Sequence, residues 1–195
     1  MSPLLGIWAS GQQAGQIIGT SFEPIATTTV GAGGAASVTF SSIPSTYTHL
    51  QVRLLAKSSD TGSGGSDNLV MSINSDTTYT NYRNHYLDGN GSAVAAGSIQ
   101  ASGFYSYVSD IANSYSGAAS MFGGAIIDIL DYTNTNKYKT IRSINGTDRN
   151  GAGSVNLLSS LWINTNAVTT LTFNCVTGTS ISQYSSFALY GVKGS

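Results

Sequence analysis

The chain reads as an all-β protein: an antiparallel β-sandwich, jelly-roll-like, preceded by an extended N-terminal arm. Three observations point there. Apolar and polar residues alternate with period two over short runs, the mark of half-buried antiparallel strands. Clusters of Gly, Asn and Asp, which tolerate positive φ, separate those runs. No window of ten or more residues carries a helical stripe. A chain of 195 residues fits one such unit, since sandwiches run to roughly 200 residues as single domains. It can bury a core without a disulfide or metal to hold it.

The elements follow in chain order. Over residues 36–43, Val38 and Phe40 share one face while Ser37, Thr39 and Ser41 take the other. Residues 49–57 set Leu50, Val52 and Leu54 against Gln51 and Arg53; His49 falls opposite Leu50 and is expected at the surface. Leu69, Met71 and Ile73 alternate again. Residues 106–113 are the best candidate for a short helix. Residues 125–130, Ala-Ile-Ile-Asp-Ile-Leu, are nearly continuously apolar and read as a central strand covered on both faces. Leu171, Phe173 and Cys175 form a buried strand face, and Phe187 and Leu189 do the same within residues 184–192. Turns are expected at residues 31–34, 62–65, 88–91, 145–146 and 150–151. Regularly spaced short strands of this kind build a sandwich or jelly roll.

Two regions break the rhythm. Residues 1–20 are rich in Gly and Gln with a few apolar anchors, Leu4, Leu5, Ile7, Trp8, Ile17 and Ile18. Such an arm cannot fold alone. It is ordered against a neighbour or packs back on its own core, and the anchors are candidate partner-binding residues, with Trp8 the strongest. Residues 21–195 form the sandwich. Within it, residues 77–118 are rich in Tyr, Asn, Ser and Gly, a composition typical of contact surfaces. Tyr79, Tyr82, Tyr86, Tyr105, Tyr107 and Tyr115 are candidates for a contact or glycan-stacking surface.

Charged residues make up only 9% of the chain and hydrophobic residues 41%, so the chain folds but carries a hydroxyl- and amide-rich surface. A soluble monomer usually carries more charge, about 25% of its residues. Such a surface suits close contacts with protein or sugar; a secreted bacterial β-protein has the same composition. A net charge of −1 argues against nucleic-acid binding, which needs a basic face. Lys137, Lys139 and Arg142 read as an ordinary solvated strand face. No run approaches the ~18 apolar residues of a membrane span, and the N-terminus lacks the basic and apolar regions of a signal peptide. The single cysteine, Cys175, excludes an internal disulfide.

No catalytic, cofactor or metal motif is present. His49 and His85 lack ligand spacing, and no nucleophile elbow or phosphate loop occurs. Asp128 and Asp131 bracket a strand end. A carboxylate pair can hydrolyse glycosidic bonds, but such residues more often end a strand and cap a turn. Residues 147–151 carry turn and calcium-ligand types but are too short for an EF-hand loop.

Several blocks carry a likeness. They include Leu5-Gly6-Ile7-Trp8-Ala9-Ser10, Ser21-Phe22-Glu23-Pro24-Ile25-Ala26-Thr27 and Tyr47-Thr48-His49-Leu50-Gln51-Val52-Arg53. Further on come Ile127-Asp128-Ile129-Leu130-Asp131-Tyr132-Thr133-Asn134 and Phe187-Ala188-Leu189-Tyr190-Gly191. Together they resemble a group of small virion proteins of environmental and cyanobacterial bacteriophages, over nearly the whole chain. The resemblance implies a non-enzymatic particle component, a tail appendage or capsid decoration protein, assembled in the host cytoplasm. Its partners would be other phage virion proteins, with a homotrimer the expected oligomer. The alternative is a tail-tip module that binds host-surface glycans through the Tyr-rich region.

Overall fold

The computed structural model describes residues 21–115, 120–149 and 151–194. The arm, with Leu4, Leu5, Ile7, Trp8, Ile17 and Ile18, lies outside the described residues. The described chain forms β1 (Phe22–Thr29), β2 (Val38–Phe40), β3 (His49–Ala56), β4 (Ser66–Ile73), β5 (Tyr82–Gly89) and β6 (Val94–Ile99). There follow β7 (Ser106–Ala112), β8 (Gly123–Leu130), β9 (Lys139–Asp148), β10 (Gly153–Trp162), β11 (Leu171–Cys175) and β12 (Ser186–Val192). The only helical element among the described residues is a 3-10 turn, Tyr79–Asn81.

All strand pairs are antiparallel, and they make two packed sheets, so the chain is a β-sandwich as its alternation predicts. The large sheet has eight strands in the order β1-β12-β3-β8-β9-β10-β5-β6 and the small sheet four, β2-β11-β4-β7. Two hairpins, β5–β6 and β9–β10, thus extend the large sheet only. Without them the sheets reduce to β1-β12-β3-β8 facing β2-β11-β4-β7.

The apolar core lies between these two four-stranded sets. Leu50, Val52 and Leu54 of β3 and Ile127 and Ile129 of β8 face Met71 and Ile73 of β4 and Phe173 of β11, all buried. Phe173 joins the layers: its ring meets Phe40 edge-on at 6.3 Å and Phe187 at 5.3 Å.

The added hairpins obey the opposite pattern. On β5, β9 and β10 the inward residues include Asn84, Ser143, Asn145, Asn156 and Ser160, all buried. The apolar residues Leu87, Ile144, Val155 and Leu157 point outward and are exposed. The cause of the inward polarity is β7. It is the edge strand of the small sheet, and its free backbone groups need partners. Side chains of the large sheet supply them. Asn84 Oδ1 accepts from Tyr107 N at 2.9 Å, Ser143 Oγ donates to Val108 O at 2.7 Å and Asn145 Oδ1 accepts from Asp110 N at 3.1 Å. A column of Asn and Ser therefore stands in for a neighbouring strand.

Three expectations are corrected here. Residues 106–113, read as a short helix, form strand β7 instead. Its side chains are buried almost throughout, so periodicity alone cannot separate strand from helix. Residues 125–130 are covered on one face only, since Ile126 is 43% exposed. Asn145-Gly146 lies inside β9 rather than at a turn.

The blocks around Tyr47, Asp131 and Gly191 meet at one end of the large sheet. Tyr47 donates to Glu23 Oε2 at 3.2 Å, and Glu23 also pairs with Lys193. The Lys193 ammonium beside it holds the Glu23 carboxyl below its usual range. Asp131 N donates to His49 Nδ1 at 2.9 Å, and the Tyr132 hydroxyl donates to Pro44 O. The Tyr47 ring lies across Gly191 so closely that any Cβ there would overlap it. We expect Gly191→Ala to lower stability by about 1–3 kcal/mol through this overpacking. A urea midpoint unchanged from the parent protein would contradict that contact.

Candidate functional site

One outward apolar residue from each of four adjacent strands falls in a single line. Ile126 of β8 stands directly opposite Ile144 of β9, Ile144 opposite Leu157 of β10, and Leu157 opposite Leu87 of β5. Directly opposed side chains lie about 5 Å apart, so the four form an unbroken ridge across four strands. They are 43–55% exposed. Beside the ridge runs a second row, Leu55, Gly124, Gly146, Val155, Gly89 and Val94, again strand by strand. A hollow of about 280 Å³ opens between the two rows at Gly89, lined by Leu87, Val94, Ile144, Val155 and Leu157 among others.

The row on the other side of the ridge is polar: Gln51, Asp128, Arg142, Ser159, His85 and Ser98. Gln51 Nε2 donates to Asp128 Oδ1 at 2.9 Å and Arg53 Nε donates to Gln51 Oε1 at 2.8 Å. Arg53 is also held over the rings of Phe22 and Tyr190, at 5.5 and 5.1 Å. An apolar centre bordered by ordered polar groups is the anatomy of a protein–protein contact. Contiguous exposed apolar patches on a sheet mark such contacts.

The tyrosines predicted to form one surface do not do so. Tyr82 and Tyr107 are core residues. The Tyr82 hydroxyl donates to Asp76 O at 2.9 Å and accepts from Ile73 N at 3.1 Å. Tyr107 donates to Asp110 Oδ1 at 2.7 Å. Burial pushes the Tyr82 and Tyr107 hydroxyls and the Asp110 carboxyl all above their ordinary values. Tyr105 packs partly buried against the core, 6.1 Å from the Tyr82 ring, and Tyr86 is half-buried. Tyr79 and Tyr115 are exposed. Where a tyrosine is buried, its hydroxyl has found a partner in the fold, which a count of tyrosines does not reveal.

Other candidates take structural places. Asp128 accepts from Gln51, whereas Asp131 pairs with Lys137 and with His49 at 3.4 Å. The Lys137 hydrogen bond keeps the Asp131 carboxyl low. His49 is half-buried rather than freely solvated. Lys139, expected on a solvated face, is fully buried, and its ammonium donates to the carbonyls of Asn134, Lys137 and Thr165. Among the described residues no three His, Cys, Asp or Glu side chains converge as a metal site.

Cys175 is half-buried at the end of β11, and burial pushes its thiol up to about 11. Only the thiolate is nucleophilic. We expect iodoacetamide to modify Cys175 in the native protein about a hundredfold or more slower than in urea, because an ordinary thiol titrates near 8.5. Equal rates under both conditions would mean that the thiol is open to solvent.

The sequence reading missed the apolar face. Ile126, Ile144, Val155 and Leu157 all sit on the outward phase of their strands; in β10 that phase is the more apolar one, so alternation alone reads Val155 and Leu157 as core. Comparisons with protein families, curated proteins and solved structures find no match to this chain.

Proposed function

We propose that this chain is a non-enzymatic structural subunit of a bacteriophage particle, a capsid decoration or tail-appendage protein that packs against other virion proteins. The observation that carries this reading is the apolar ridge and hollow on the outer face of the large sheet, bordered by a polar row. A free subunit leaves that face in water; a subunit of an assembly covers it. The low charge of the chain supports the same reading, because few charged groups need desolvation at a contact.

The strand order adds support. The sets β1-β12-β3-β8 and β2-β11-β4-β7 fit the paired Greek keys of a jelly roll, with two hairpins added to one sheet. Jelly rolls serve in viral capsid and lectin domains, and the blocks that resemble phage virion proteins latch one end of this core. The subunit would act in the virion as a closed oligomer, since closed symmetry of any order covers every copy of a contact face; a homotrimer is the form expected of it.

Electron cryo-microscopy of purified phage particles tests the reading. Density matching the sandwich at regular capsid positions or on the tail establishes it. Particles without the chain refute it.

A further inference from the structure

Residues 1–20 contain no charged side chain, and their apolar residues include Leu4, Leu5, Ile7, Trp8, Ile17 and Ile18. They join the described chain just before Phe22, which is exposed and lies against Arg53 on the outer side of the large sheet. The direction of that junction matters. Through β12, Phe22 is level with His49 and Thr29 is level with Leu55. The apolar rows stand at the levels of Arg53 and Leu55. Traced backward from Phe22, the chain thus leaves the sheet at the end remote from the apolar rows.

That exit is fixed, because Glu23 is held by both Tyr47 and Lys193. The centre of the ridge, on β9 and β10, is also four to five strands away from β1, roughly 20–24 Å. To reach its own ridge, the segment must reverse and cross most of the sheet. Extended, twenty residues span up to about 66 Å, well beyond the subunit's edge.

We propose that residues 1–20 of one copy seat on the apolar outer face of the large sheet of a second copy, with Trp8 against Ile144 and Leu157. This deepens the proposed function and rests on its reading of the face as a subunit contact. Segment and face suit each other chemically. Both are neutral where they meet, so neither brings an unpaired charge out of water, and a large aromatic in an apolar hollow is the side chain that dominates contact energy. Each copy offers one segment and one face, so the contact runs head to tail and a closed ring covers all faces.

Tryptophan fluorescence of the full chain tests this. There are two tryptophans, and Trp162 is fully buried, so the difference between the parent chain and Trp8→Phe isolates the emission of Trp8. We expect that emission to be blue and several-fold shielded from acrylamide. The shielding should fall on dilution in step with the oligomer seen by analytical ultracentrifugation. Leu157→Lys should expose Trp8 and separate the copies. Trp8→Ser should also separate them, and it leaves the sheet untouched should Leu157→Lys fold poorly. Shielding of Trp8 that persists in a monomer at every dilution would overturn the proposal, because the segment then lies on its own subunit. Copies that separate with Leu157→Lys while Trp8 is exposed throughout would overturn the segment's role but leave the face as a subunit contact. Copies that never associate, with Trp8 exposed, would remove both.

Discussion

Asn84→Ala is expected to cost about 3–5 kcal/mol, a large part of the ~5–15 kcal/mol that holds a domain together. Asn84 is buried and uses its whole hydrogen-bonding capacity. Its amide nitrogen donates to Ile99 O at 3.1 Å and Tyr105 O at 2.8 Å; its oxygen accepts from Tyr107 N at 2.9 Å and Ser160 Oγ at 2.6 Å. Truncation strands the partners on three elements at once, each at about 1–3 kcal/mol when left without water, though such costs do not add fully. Asn84→Asp should be worse, since it aims a carboxylate oxygen at two carbonyls and buries a charge. Urea unfolding checks both: the midpoint should fall with the slope unchanged. A loss below about 1 kcal/mol for Asn84→Ala would mean that β7 does not depend on the side chains that border it.

Much of the fold was legible, and the reason is local. In β3, Leu50, Val52 and Leu54 alternate with Gln51 and Arg53, and the structure buries one set and exposes the Gln51–Arg53 face. The same holds for Phe187 and Leu189 in β12. In these strands one face meets core and the other meets water, so polarity reports orientation.

On the added hairpins that rule inverts. Asn156 is buried between the exposed Val155 and Leu157, and Asn145 is buried beside the exposed Ile144. The buried amides answer to the free edge of β7, about 35 residues or more distant in sequence, which no local pattern encodes. The outward apolar side chains answer to no group in the described chain. For the same reason the run at residues 125–130 reads as covered twice: Ile126 has the chemistry of a buried residue and the position of an exposed one. Tyr82 and Tyr107 failed in the other direction, because a polar aromatic has the composition of a surface and, once its hydroxyl is bonded, the behaviour of a core residue.

The exposed ridge yields the prediction that most sharply separates folding from assembly. Ile144 and Leu157 are direct cross-strand partners, both 55% exposed. Converting both to lysine roots two like-charged side chains about 5 Å apart at their Cβ atoms, at the centre of the face. In the isolated subunit their aliphatic stems still cover the sheet and the ammonium groups reach water. Stability should therefore change by no more than about 1 kcal/mol for the pair, the scale of exposed substitutions plus a screened repulsion. At a closed contact the same charges have no water. Loss of two central apolar anchors costs about 2 kcal/mol or more each, so association should weaken by roughly a thousandfold. The double variant is thus expected to unfold near the parent's urea midpoint while sedimenting as a monomer and failing to join particles. Ile144→Val, which keeps the shape and neutrality of the ridge, should assemble almost normally. If the lysine pair instead assembles like the parent chain, the contact lies elsewhere on the sandwich, and the inverted strands β9 and β10 need another explanation than a partner on their outer face.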